Sequence, residues 1–231
     1  IRRDPADTAP PRAWKYEVKK SMGTVEVEPR YDAPPARITV AAQSGAGKST
    51  WIGKYVRRLV KPETGLEQPV WLLSKVLEDK ALDDIPDLRR IDPSKLLEDT
   101  ETTGPLPVSE FANSVLITDD ISSLPQAERV VVEQLRSDAL EISRHGDTTL
   151  ISAVHLLFDG STASRRLLLE SNAYVIFPRA SGVFAGKRLL KEYMGMSPAD
   201  ARRLLGVKSR WLYLQRQYPS YAVWEGGVTL N

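Results

Sequence analysis

Short apolar runs and longer amphipathic stretches alternate along this chain, and their spacing separates strands from helices. Ile38-Thr39-Val40-Ala41, Val70-Trp71-Leu72-Leu73, Ser114–Thr118, Thr148–Val154 and Ala173–Phe177 are nearly continuous in apolar and β-branched residues. Runs of that kind suit strands covered on both faces, as in a parallel sheet. Trp51, Ile52, Tyr55, Val56, Leu59 and Val60 fall instead at helical spacing, and Pro62 ends the stretch. A second helix is predicted over 126–143, with Ala127, Val130, Val131, Gln134, Leu135 and Ile142 near one face. Strands alternating with helices predict an α/β fold with a doubly wound, mostly parallel sheet flanked by helices.

The pattern weakens in three places. Residues 75–110 are acidic and read as irregular, with Asp79, Asp83, Asp84 and Asp87. From Gly186 onward, Ser197 and Pro198 look like the cap and first position of a short helix. Trp211–Leu214 and Tyr221–Trp224 then suggest a closing hairpin. Residues 1–36 hold six of the 16 prolines and read as an extended arm, lying over the domain or reaching a neighbouring subunit. The expected organisation is an arm over 1–36, a core over 37–185 and a helix-plus-hairpin extension over 186–231.

Composition narrows the chemistry. The 231 residues and 42% hydrophobic content fit one globular domain with a small appendage. With no cysteine, disulfides, thiolate zinc sites and cysteine nucleophiles are excluded, and two histidines leave little room for a histidine metal site. No apolar run approaches the ~20 residues that span a bilayer, and no signal-peptide pattern is seen, so a reducing, soluble compartment is expected. Net charge is only +2, but residues 144–231 hold 12 Lys/Arg against 6 Asp/Glu. A basic surface late in the chain, or an ordinary solvated face, would each explain that.

The strongest chemical signal is Ala42-Gln-Ser-Gly-Ala-Gly-Lys-Ser49, between a strand and a helix. Gly45 and Gly47 let backbone N–H groups curl towards a polyphosphate, and the helix N-terminus adds its partial positive charge. Lys48 can reach the β- and γ-phosphates, and the Ser49 hydroxyl can ligate Mg²⁺. Ala42 stands where the motif usually has its first glycine. The expected nucleotide-binding set is Gln43, Ser44, Gly45, Ala46, Gly47, Lys48, Ser49 and Thr50, with ATP and Mg²⁺ as the bound species.

Asp119 ends the strand over 115–118, where a carboxylate can hold Mg²⁺ together with Ser49. Asp120 follows, placed to orient and activate a water, or else to cap the next helix. His155 ends the next strand, within reach of a γ-phosphate if its strand neighbours that of Asp119; a histidine satisfied at a strand end is the plainer alternative. Arg144, Arg165 and Arg166 are candidates for an arginine that neutralises transition-state charge from a neighbouring subunit, or ordinary surface charges.

Taken with Val70–Lys75 and the Glu78-Asp79 that follow, Val115–Asp120, Ser143-Arg144-His145, Ile151–His155, Arg166–Glu170, Tyr174–Pro178, Ser209-Arg210-Trp211 and Tyr218–Tyr221, the sequence over about 37–230 resembles the poxvirus-type viral genome-packaging ATPases of the FtsK–HerA superfamily. That resemblance implies a P-loop NTPase fold and a homo-oligomeric ring, hexameric or pentameric, that pumps double-stranded DNA into a capsid through a portal vertex. It also implies location in the host cytoplasm, a viral factory or a virion vertex. It makes Arg144 the preferred trans-acting arginine, with Arg166 second, and gives Lys48, Asp120 and His155 catalytic roles. In that family a polar residue, often Gln, stands where His155 is. Another DNA-directed P-loop ATPase of helicase or partitioning type is the nearest alternative, ahead of a P-loop kinase or a non-hydrolytic nucleotide switch. Lys187, Arg188, Arg202 and Arg203 are possible DNA contacts.

Overall fold

The computed structural model describes residues 35–60 and 68–230, together with three short strands ahead of them. These strands, β1 (Arg2–Arg3), β2 (Trp14–Glu17) and β3 (Thr24–Val27), pair antiparallel. Of the 1–36 segment, expected as an extended arm, the rest up to residue 34 lies outside the described residues, while Ala36 is buried in the core.

Six strands form the parallel part of the main sheet: β4 (Arg37–Ala41), β5 (Val70–Ser74), β6 (Leu88–Ile91), β7 (Val115–Asp119), β8 (Thr149–Val154) and β9 (Ala173–Ile176). Three more, β10 (Leu212–Gln215), β11 (Tyr221–Trp224) and β12 (Gly227–Leu230), continue it antiparallel from β9. The order across the sheet is β12-β11-β10-β9-β4-β8-β7-β5-β6. β8 therefore lies between β4 and β7, pairing Ala41 with Val154 on one side and Asp119 with Ala153 on the other.

Helices cover both faces: α1 (Lys48–Leu59), α2 (Lys80–Asp83), α3 (Pro93–Thr103), α4 (Gln126–Ile142), α5 (Thr162–Glu170), α6 (Val183–Arg188) and α7 (Pro198–Leu205). Because successive side chains of a strand face opposite ways, Ile38, Val40, Ile117 and Ile151 pack with Ile52 and Val56 of α1. Leu116 and Leu150 face the other way, against Val132 and Leu135 of α4. Tyr174, Ile176, Leu212 and Leu214 on that side meet Leu189, Leu190 and Leu204. Burial on both faces is why these strands read as continuous apolar runs.

Several expectations are corrected. The 75–110 stretch is ordered as α2, β6, α3 and a 3₁₀ turn over Val108–Phe111. Asp92 caps α3, accepting from Ser94 N at 3.0 Å, and Pro93 holds the first helical position. Nor is the apolar face anticipated for α4 the buried one. Its buried residues are Val132, Leu135, Arg136, Ala139 and Leu140, while Val130 and Ile142 are about half exposed, at 55% and 50%. The helix packs against both α3 and α5, so its covered arc is displaced and takes in an arginine that pattern reading assigns to solvent. The hairpin expected at the C-terminal end gains a third strand, β12. It is hydrogen-bonded into the main sheet. Ser197 caps α7 as predicted, accepting from Asp200 N at 3.1 Å.

Gly53 sets how closely α1 approaches α2. A Cβ there would stand 2.2 Å from the Ala81 carbonyl oxygen. A mid-helix glycine costs about 1 kcal/mol relative to alanine. Burial of Ile52 and Val56, roughly 1.5–3 kcal/mol each, outweighs that. Gly53→Ala, which normally stabilises a helix, is expected here to destabilise the fold by about 1–3 kcal/mol in urea denaturation, because backbone must move. Equal or greater stability would show that α2 is not held against α1.

Candidate active site

The carboxyl ends of β4, β5, β7 and β8 open onto one cleft of about 350 Å³. Ser44, Gly45, Gly47, Lys48, Ser49 and Thr50 line one wall, and Asp119, Asp120, His155 and Asp79 line the other. Gly45 and Gly47 take φ of 75° and 103°, the left-handed region in which a side chain is strained, and Gly47 is the N-cap of α1. Gln43 and Ala46 complete the loop without lining the cleft; Ala46 N donates to Gln43 O at 3.3 Å.

Lys48 is buried, and its ammonium donates within the protein: to Ala42 O at 2.9 Å and Gln43 O at 3.4 Å, with His155 Nδ1 at 3.4 Å. Desolvation pushes the Lys48 pKa down, and the Asp119 and Asp120 carboxylates oppose that shift. An Nδ1 that accepts from Lys48 puts the imidazole proton on Nε2. Nε2 lies 2.8 Å from Asp120 Oδ1, and apart from that contact this buried carboxylate oxygen has no hydrogen-bond partner. Such an oxygen is costly to leave unpaired and marks a place for a water or ligand donor.

Asp120 sits at φ 52°, ψ 39°, a left-handed conformation that Asp tolerates better than most residues. It stands at the N-cap position of a 3₁₀ turn over Ile121–Ser123, but its carboxylate makes no capping bond, and α4 begins only after Pro125. Asp119 is pushed above the ordinary carboxylate range by burial, with Lys48 opposing and the nearby Asp120 and Asp79 adding to the rise. Among the described residues no three His, Asp or Glu side chains gather as a self-contained metal site. The oxygen donors Ser49 and Asp119 instead fit a Mg²⁺ that completes its shell with phosphate oxygens and water.

No protein-family profile matches the chain. Over 196 residues it is 26% identical to the uncharacterized protein V3 of Sputnik virophage, covering 83% of this chain and 75% of that protein. Among solved structures it is similar to the genome-packaging NTPase B204 of Sulfolobus turreted icosahedral virus 2 in complex with ATP-γS. That match has TM-score 0.51 and 15% identity, over 86% of this chain and 98% of B204. The pCW3 conjugation coupling protein TcpA, also with ATP-γS, matches at TM-score 0.52 and 14% identity, over 87% of this chain and 62% of its own. EssC (ATPases 2 and 3) of Geobacillus thermodenitrificans matches at TM-score 0.53 and 11% identity, over 99% of this chain and 45% of its own. The fold is that of a P-loop NTPase.

Within this P-loop fold, Lys48, Ser49, Asp119, Asp120 and His155 share one cleft. Arg165 and Arg166 do not join them. Arg166 does not line the cleft and is engaged in its own chain, with Ser137 and Glu141 of α4; Arg165 is exposed. The side chain of Arg144 lies outside the described residues. Of the basic residues considered for DNA, Arg188 pairs with Glu192 at 2.9 Å and stacks over Phe158, Arg203 pairs with Asp200 at 3.0 Å, and Arg202 donates to Pro198 O at 3.2 Å. Lys187 is exposed.

Asp79 is the cleft residue that reading for site chemistry passed over. It caps α2, accepting from Ala81 N at 2.9 Å, at the carboxyl end of the strand beside that of Asp119. Its signals in the sequence are its place on an acidic stretch five residues beyond a buried strand and in the Glu78-Asp79 pair of the resemblance.

The direction of the Asp119 shift gives a sign for stability. A carboxyl held protonated more tightly in the folded chain favours folding at low pH, and that contribution is lost as pH rises through its folded value. Asp119→Asn is therefore expected to resist urea better than the wild type at pH 7, with the gain shrinking as pH falls towards the ordinary value of 3.8. A variant less stable at pH 7 would reverse the sign.

Proposed function

We propose that this chain is the ATP-hydrolysing subunit of a motor that moves double-stranded DNA into a viral capsid. The observation that carries the hydrolytic part is the buried Asp120 oxygen, which has only His155 Nε2 beside it at 2.8 Å and lines the cleft with Lys48. Fold likeness to a viral genome-packaging NTPase and sequence likeness to a virophage protein support the viral part. The DNA part rests on the likeness to B204 and TcpA and on the basic C-terminal half.

Binding begins as an exchange. The loop N–H groups and the α1 N-terminus receive the phosphates, and Lys48 leaves Ala42 O, Gln43 O and His155 for the β/γ oxygens. Asp120 orients a water and takes its proton as the water oxygen bonds to the γ-phosphorus; the bond from that phosphorus to the bridging oxygen breaks, releasing ADP. His155, released by Lys48, keeps its place beside Asp120 and adds a donor at the developing charge. Mg²⁺ held by Ser49 and Asp119 would screen the charge on the β and γ oxygens. Subunits form a ring, hexameric or pentameric, seated at a capsid vertex, and an arginine from the neighbour, Arg144 first, completes each site.

Steady-state ATP hydrolysis with and without long duplex DNA, at low and moderate salt, tests this function. Stimulation by duplex that fades as salt rises is expected; hydrolysis indifferent to DNA at every salt would overturn the motor reading. Asp120→Asn is expected to keep nucleotide binding while turnover falls about 100-fold or more. Loss of binding together with turnover would instead give Asp120 a role in holding the nucleotide or the fold.

A further inference from the structure

Behind His155, on the side away from the nucleotide loop, lies a second cavity of about 130 Å³ between β8, α4 and α5. Among the described residues His155 is the one side chain that lines both this cavity and the cleft. Its other polar wall groups are Ser122, Glu133, Arg136, Asp159 and Ser164.

Arg136 makes the cavity unusual. It is only 7% exposed, and among the described residues its guanidinium makes no hydrogen bond and no ion pair within 4 Å. A guanidinium stays charged, and since none of its nitrogens is both sealed from solvent and unpartnered, whatever fills the cavity answers that charge. Burial lowers its pKa, with Glu133 and Asp159 opposing from a distance. Asp159 is already occupied in part, accepting from Ser161 N at 2.8 Å at the start of α5. The volume holds about four waters, or one tetrahedral oxyanion.

We propose that this cavity is an orthophosphate site, where the phosphate split from ATP rests after passing His155. The proposal rests on the hydrolytic reading above. Arg136 offers planar paired donors to two anion oxygens, and Ser122 offers a hydroxyl; that of Ser164 donates to Ser161 O at 3.2 Å. The carboxylates of Glu133 and Asp159 would repel a bare anion. They instead select one that still carries a proton, because only a P–OH can donate to a carboxylate. Orthophosphate keeps a proton at neutral pH and sulfate does not.

Equilibrium dialysis of radiolabelled orthophosphate against the full chain tests the site, with unlabelled phosphate or sulfate as competitor. Binding is expected to survive Lys48→Ala, which disables the cleft, and to weaken about tenfold or more in Arg136→Gln. Sulfate is expected to compete about tenfold worse than phosphate in the wild type, and as well as phosphate in Glu133→Gln. Circular dichroism shows whether Arg136→Gln folds; if it does not, the Glu133→Gln competition carries the test alone. Binding lost in Lys48→Ala yet intact in folded Arg136→Gln would place the phosphate in the cleft and overturn the proposal, as would equal competition by sulfate in the wild type. ATP hydrolysis without Arg136-dependent binding overturns this site only. Absence of ATP hydrolysis in the wild type overturns the hydrolytic reading, and with it the cavity's role as a stop for product.

Discussion

The backbone ladder that seats β8 between β4 and β7 is the constraint on which the site depends. Those two registers fix Val154 beside Ala41 and Ala153 beside Asp119, and Ala42 N donates to Val154 O at 3.2 Å. The next residue after β8 must then emerge between the phosphate loop and the acidic pair, and that residue is His155. A shift of one position in either pairing would turn every side chain of β8 to the opposite face. The strands are buried on both sides, so such a shift would exchange Leu150 and Ile151 between two differently packed faces and break the buried 3.1 Å bond from Thr118 to the Ser152 hydroxyl. Packing energy across the whole sheet thus holds the spacing of three polar side chains at its edge.

Much of this was legible in the chain. The doubly covered strands announced themselves as apolar runs, and the loop Ala42–Ser49 carries its chemistry in residue types, so strand, turn and helix could be placed together. Asp119 and Asp120 followed from a strand end. Less legible was anything whose cause lies in a neighbour across space. β6 pairs only with β5 and reads Leu-Arg-Arg-Ile, too polar for a buried-strand pattern. The covered arc of α4 depends on two flanking helices, so its own periodicity pointed to the wrong face. Asp79 reaches the cleft because Gly53 lets α2 sit close, a relation that no local pattern contains.

The site also shows how a functional cleft departs from the rules that govern the rest of the domain. Lys48 and Arg136 are buried cations, Asp119 is a carboxyl whose charged form is disfavoured, and Asp120 holds a left-handed backbone with a buried oxygen that has only His155 beside it. Each would be a fault in an ordinary core. They cluster around one strand end, and the apolar clusters on both faces of the sheet supply the stability that tolerates them.

Arg90, on the outermost strand β6, donates to the Val76 carbonyl at 2.7 Å and pairs with Asp83. It thereby clasps both ends of the short segment whose middle carries Asp79 into the cleft. Charged residues on an edge strand are usually there to discourage other strands from joining it. Here the same side chain is a tether between the rim of the sheet and one of the two acids that act on Asp119. A body that leans on that rim and draws Arg90 away slackens the segment and alters the field at Asp119. The periphery of the domain and its chemistry are mechanically in series.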